Sequence, residues 1–165
     1  MKKILLLLIL INFNCHAASM KKIGEKGDPN KVDRVIIIEM HDNYFYPKEV
    51  SIKKGETIKF IVKNLGYLVH EYNIGTKEMH IKHQPEMARL IEHEIIVGDK
   101  IDHKKMIEMS KKDHSLAHKH ANSVMLEPNK IGEIIWKFNT DAKLEAACNV
   151  PGHYEDGMVS NININ

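Results

Sequence analysis

Cys148-Asn149-Val150-Pro151-Gly152-His153-Tyr154-Glu155-Asp156-Gly157-Met158 is the stretch on which the reading of this 165-residue chain turns. The segments on either side of it alternate as strands do. The spacing therefore places Cys148 at the end of one strand and Met158 at the start of the next, with His153 on the loop between them. Pro151-Gly152 turns the chain tightly, and Gly157 gives it freedom just before Met158. A thiolate, an imidazole and a thioether form a graded set of soft and borderline donors. A copper ion cycling between Cu(I) and Cu(II) needs such a set, with the thioether as the weak axial member. Each residue also has an ordinary use: a buried small hydrophobe, a surface loop histidine, a core methionine. Their joint order and spacing favour the metal. A fourth ligand must come from elsewhere, and His70, after Asn64-Leu-Gly-Tyr-Leu-Val, is placed where a second sheet could bring it across.

Outward from this loop the chain reads as short strands separated by turns. Arg34 to Met40, Glu49 to Lys53, Thr57 to Lys63 and Leu68 to Ile74 come before residue 76, with a bend at Tyr44-Phe45-Tyr46-Pro47. Ser123 to Leu126, Gly132 to Phe138, Lys143 to Cys148 and Met158 to Ile164 follow later. Leu68, His70, Tyr72 and Ile74 share one face, and Met158, Ile162 and Ile164 share another, expected to face the core. The pattern predicts an all-β antiparallel sandwich. It is interrupted at about 76–122 by a mainly helical or irregular insertion rich in His and Met. Helices are expected over Pro85 to Glu94, with Pro85 in the first turn, and over Asp99 to Met109, with Asp99 as N-cap.

The termini and cysteines set the compartment. Lys2 and Lys3 precede an apolar run, Ile4 to Ile11, too short to span a bilayer, and Cys15-His16-Ala17 offers a cleavage site. Residues 1–17 are thus expected to be a signal peptide, cut after Ala17 or Ala18, and residues 18–33 a flexible leader. The domain proper is expected over 34–165. Export to the periplasm follows, with no membrane span after removal. Loss of Lys2 and Lys3 takes the formal charge from +2 to zero, so nothing draws the mature chain to nucleic acid or a membrane surface. Only Cys148 then remains. A lone thiol in an oxidising compartment survives when it is buried or bound to metal.

The chain resembles the small cupredoxins, the group containing azurin, plastocyanin and auracyanin, and within it the periplasmic plastocyanin/azurin-like copper-binding proteins. The resemblance runs from about Gly27 to Asn165 and rests on GDPNKVDR, YPKEVSIKKGETIKFIVKN, VHEYNIG, EIIWKF and, most specifically, CNVPGHYEDGM. It implies a Greek-key β-sandwich with one type 1 copper site. His70 and His153 would bind through imidazole nitrogen, Cys148 through thiolate and Met158 weakly. One departure stands out. Azurin has an asparagine directly after its first ligand histidine, where it helps clamp the cysteine loop; here Glu71 stands there. That places the hydrogen bonds around the ligands in doubt, and they help set the redox potential.

Seven of the 11 histidines lie between His80 and His120, with Met79, Met87, Met106 and Met109 among them. Met106 and Met109 would share a helix face, as would His114 and His118 in a helix. Two readings stay open: a solvated insertion whose methionines cap the sandwich, and a second, weaker copper site suited to Cu(I). His41 reads as a surface residue. The functional expectation is copper binding in copper handling and tolerance. The alternative is an electron-transfer protein working with a periplasmic partner such as a cytochrome c or a copper-transfer protein. Enzyme readings fit poorly: oxidases and nitrite reductases need more domains, and a binuclear copper centre needs two close cysteines. A Cys–His hydrolase lacks an orienting Asn or Asp. Zinc on Cys148, His70 and His153 remains a lesser alternative.

Overall fold

A computed structural model describes residues 23–165. The signal peptide expected over 1–17 and the first part of the leader lie outside the described residues. Twelve strands form two five-stranded sheets and a small hairpin. The first sheet is ordered β1 (Glu25–Lys26), β10 (Ile131–Lys137), β5 (Thr57–Asn64), β2 (Arg34–His41), β3 (Tyr44–Tyr46). The second runs β4 (Glu49–Ile52), β12 (Val159–Ile164), β11 (Leu144–Ala147), β6 (His70–Gly75), β9 (Ser123–Leu126). The sandwich is not wholly antiparallel: β2 lies parallel to β5, and β12 parallel to β4. The chain crosses between the sheets from β3 to β4, β4 to β5, β5 to β6, β9 to β10 and β10 to β11. The segment read as a bend at Tyr44 pairs with β2 as a short strand.

Period-two burial explains the layers. Along β5, Ile58, Phe60 and Val62 are fully buried, and across the gap Tyr72 and Ile74 of β6 meet them. Phe60 lies against both Tyr72 and Phe138, and Phe45 meets Tyr72 edge to face at 5.2 Å. Each such aromatic, removed from water, contributes about 1.5–3 kcal/mol. In β2 only Ile38 and Met40 are buried; Val35 and Ile37 face out.

The leader expected over 18–33 is docked from Ile23 onward. Ile23 is fully buried, its carbonyl accepts from Trp136 Nε1 at 2.9 Å, and Glu25 and Lys26 pair with Lys137 and Trp136. The indole N–H of a buried tryptophan needs an acceptor, and the N-terminal strand supplies it.

The insertion differs from expectation in its boundaries. Helix α1 spans Lys77–Glu92, capped by Thr76, whose Oγ1 accepts from Met79 N at 3.3 Å. Pro85 lies inside the helix. It cannot donate to the Ile81 carbonyl one turn back, and both residues are exposed. After a hairpin of β7 (Ile96–Val97) and β8 (Lys100–Ile101), helix α2 spans His103–Ser110. Its N-cap is Asp102, which accepts from Lys105 N, and not Asp99, which lies in the turn of the hairpin. A 3-10 turn, His114–Ala117, leads back to β9. Met79, Met106 and Met109 pack against the core, which is the capping role. Helix α1 covers the outer face of β6, so all six residues of that strand are buried, Glu71 and Asn73 included. Among the described residues no helix is long and apolar enough to cross a membrane.

Candidate metal centre

Three of the four expected donors converge at one end of the sandwich. His70 opens β6; Cys148 follows β11; His153 sits in the turn that Val150 O closes by accepting from His153 N at 3.0 Å. His70 Nδ1 and His153 Nδ1 are 3.2 Å apart. Cys148 Sγ lies 3.4 Å from His153 Nδ1 and 3.9 Å from His70 Nδ1. These separations are short enough for one ion to reach all three atoms with metal–nitrogen bonds of about 2.05 Å and a metal–sulfur bond of about 2.3 Å. Two imidazoles and a thiolate are the donor set that would hold copper, and their chemistry fits it. The fourth residue, Met158, is fully buried and tied to the same loop: its N–H donates to His153 O at 2.9 Å, and its carbonyl accepts from Cys148 N at 3.2 Å.

The surroundings orient these donors. Asp42 Oδ1 lies 3.1 Å from His70 Nε2 and also accepts from Tyr67 N at 2.7 Å and Leu68 N at 3.2 Å. With the carboxylate on Nε2, Nδ1 is the nitrogen presented to the cysteine and the second histidine. Burial opposes ionisation of Asp42, but these three donors hold its carboxyl below the ordinary value. Gly66 makes the arrangement possible: a Cβ there would stand 2.4 Å from Asp42 Oδ1 and 2.8 Å from His70 Nε2. Burial lowers the pKa of His70 and of His153, which favours the neutral, metal-binding imidazole. Burial also pushes the Cys148 thiol up to about 12.

The doubt raised by Glu71 is answered by its contacts. Its backbone N–H donates to Cys148 Sγ at 3.3 Å, and its Oε2 accepts from Asn149 Nδ2 at 2.8 Å. The carboxylate thus clamps the cysteine loop. Asn149 Nδ2 is also 3.3 Å from His80 Nδ1, and His80 is buried against Tyr154, so helix α1 braces the loop from outside.

A second cluster forms on the insertion side. His83, Glu86, His118 and His120 bring one ligand-type atom each within 4.8 Å of one another. Burial disfavours the protonated forms, yet the carboxylates of Glu71 and Glu86 outweigh it, raising His83 to about 10 and His118 to about 9, so a metal ion bound through these rings would have to displace their protons. His93, His103 and His114 stand outside this group, and the helical pairing of His114 with His118 does not occur, because the 3-10 turn ends between them. His41 stacks on Tyr44 at 4.5 Å and belongs to neither cluster.

No protein-family model matches the chain. It is 35% identical to the copper-resistant cuproprotein CopI of Pseudomonas aeruginosa over 147 residues, covering 86% of this chain and 81% of that protein. It is 29% identical to the CopI of Vibrio cholerae, covering 88% and 73%. Among solved structures it superposes on auracyanin B with a TM-score of 0.60 at 12% identity, covering 86% of this chain and 96% of that one. On an auracyanin of Roseiflexus castenholzii the TM-score is 0.57 at 19% identity, covering 81% and 98%. These structural likenesses show the cupredoxin fold.

Proposed function

Because the chain belongs to the family of copper-resistant cuproproteins named CopI, we propose that it is an exported copper-binding protein of copper tolerance, holding one copper ion with His70, Cys148, His153 and Met158. The observation that carries the reading is the convergence of His70 Nδ1, His153 Nδ1 and Cys148 Sγ within 3.9 Å of one another at the buried end of the sandwich. The bound ion supplies one-electron chemistry between Cu(I) and Cu(II). The chain's own groups do the rest. Asp42 fixes the His70 ring. The Glu71 N–H stabilises negative charge on Cys148 Sγ, and the loop from Cys148 to Met158 closes the site from water. The thiol gives up its proton as the metal binds, so uptake is linked to proton release.

Electron transfer is the second reading, and one feature favours it. Half-buried His153 borders a depression lined by Leu68, Val69, Ile91, Val97 and Val150, with Tyr67 strongly exposed nearby. An apolar rim at the metal end suits transient docking. The two readings separate in the cell. A strain lacking the protein is expected to grow poorly in copper, with growth restored by the wild type and not by Cys148→Ser. Full restoration by Cys148→Ser overturns the tolerance role assigned to this centre.

A further inference from the structure

The cluster on the insertion has the construction of a metal site of a different class from the one at Cys148. The rings of His83, His118 and His120 form a nearly equilateral triangle, with centroids 5.1–5.2 Å apart. Glu86 reaches all three: its Oε2 is 3.5 Å from His83 Nδ1, and its Oε1 is 3.4 Å from His118 Nδ1 and 2.9 Å from His120 Nε2. At the far side of two of those rings is Glu71. Its Oε1 lies 3.2 Å from His83 Nε2 and 3.0 Å from His118 Nε2. Two imidazoles that turn one nitrogen to a carboxylate and the other to a shared point are arranged as metal-bound histidines are.

His118 is held between the two carboxylates, its Nδ1 3.4 Å from Glu86 Oε1 and its Nε2 3.0 Å from Glu71 Oε1. The backbone at His118 is left-handed, with φ of 43°, an uncommon conformation for a residue with a Cβ. It is this conformation, at the end of the 3-10 turn, that brings His118 and His120 together opposite α1.

We propose that His83, Glu86, His118 and His120 form a second metal site, for a divalent borderline cation, and that Glu71 joins it to the Cys148 centre. Three imidazoles and a carboxylate contain no sulfur, so the site favours Cu(II) or Zn(II) over Cu(I). Of the methionines of the insertion, Met87 is in the core and Met79, Met106 and Met109 pack against it. This selects Cu(II)-type chemistry where the composition of the insertion alone suggested Cu(I).

The link runs through one carboxylate. Oε1 of Glu71 faces His83 and His118; Oε2 accepts from Asn149, next to Cys148; and the N–H of the same residue donates to Cys148 Sγ. Oε1 also accepts from Ser123 Oγ at 2.6 Å and Asn73 Nδ2 at 3.0 Å, so an ion that reorients the two imidazoles alters two of its four contacts, and with them the hold on Asn149 and the hydrogen bond to sulfur. Hydrogen bonds to the cysteine sulfur tune type 1 copper. Glu71 is here a positioning residue for both centres. The link rests on the copper reading of Cys148; the second site does not.

The test separates the two. In a Cys148→Ser, His153→Ala background, which removes two of the three converging donors, Zn(II) is titrated by calorimetry. One equivalent is expected to bind, and adding His120→Ala or Glu86→Gln is expected to weaken it more than about tenfold. Absence of binding, or binding indifferent to both substitutions, overturns the site. In the wild-type protein loaded with one equivalent of copper, saturation with spectroscopically silent Zn(II) is expected to shift the thiolate-to-copper absorption band. With Glu71→Gln, zinc is expected to bind and the shift to vanish. A band that stays in place at zinc saturation overturns the link. Failure of the band to form at all overturns the Cys148 centre and the link with it, while the zinc titration decides the second site by itself.

Discussion

Replacing Asp42 tests whether the copper centre depends on a residue that is no ligand. The Asp42 carboxylate accepts three bonds, from His70 Nε2 at 3.1 Å, Tyr67 N at 2.7 Å and Leu68 N at 3.2 Å. Asp42→Ala removes all three. His70 is fully buried, so its Nε2–H is left without its acceptor and the ring loses its reason to present Nδ1. Loss of a carboxylate that orients a ligand histidine typically weakens metal binding 10–100-fold, or about 1.4–2.7 kcal/mol. The two backbone bonds hold the 66–68 turn, but the Asp42 side chain is 41% exposed, so the cost in folding stability is only about 2 kcal/mol. Asp42→Asn is the control. It keeps an oxygen acceptor for the turn and gives up the charge on His70, so stability is nearly retained while affinity falls by less than about tenfold. Copper affinity is read by competition with a chelator of known affinity, and stability of the metal-free protein by urea unfolding. Wild-type copper affinity in Asp42→Ala would refute the claim that this carboxylate sets the His70 ring.

Gly66→Ala is expected to act on the same contact from the other side. Its Cβ would stand 2.4 Å from Asp42 Oδ1 and 2.8 Å from His70 Nε2, so a loss of about 1–3 kcal/mol in urea unfolding and weaker copper binding are expected. Trp136→Phe removes the bond to Ile23 O and is expected to cost about 1 kcal/mol, with faster amide exchange confined to residues 24–27 and the strand they pair with. In the metal-free protein the Cys148 thiol, at about 12 against the usual 9.0, is expected to react with iodoacetamide at pH 8 about a thousandfold more slowly than a free cysteine. The same shift has a sign for stability. The unfolded thiol ionises near 9.0 while the folded one keeps its proton, so the metal-free protein is stabilised below that pH and loses stability as pH rises from 9 towards 12. Cys148→Ala is expected to lack this loss; an identical pH profile in the two proteins contradicts it.

Much of the sandwich was legible because its strands obey period two. The buried Ile58, Phe60 and Val62 alternate with part-exposed Lys59, Ile61 and Lys63, as the sequence of β5 implies. The loop from Cys148 to Met158 was legible because its donors lie within eleven residues and short-range turn chemistry fixes their order. What stayed hidden depends on distance along the chain. Asp42 is 28 residues from His70, in a turn where an aspartate is unremarkable, and nothing local marks it as the ring's partner. Ile23 is tied to Trp136 across 113 residues, so a polar leader concealed a docked strand. Pro85 read as a helix start because the cost of an internal proline depends on whether water reaches the freed carbonyl, a fact of tertiary packing. In the insertion, the spacing of His83 to Glu86 and of His118 to His120 was the available signal. It selects nothing until a left-handed residue at 118 brings the two pairs together.

The most direct test of the copper centre is a Cu(II) titration of the protein with its thiol confirmed reduced, followed by visible absorption. An intense thiolate-to-copper band that saturates at one equivalent, and is absent in Cys148→Ser, is the expected result. No such band in the wild type, or a band that persists in Cys148→Ser, would contradict the assignment of Cys148, His70, His153 and Met158 as the copper ligands.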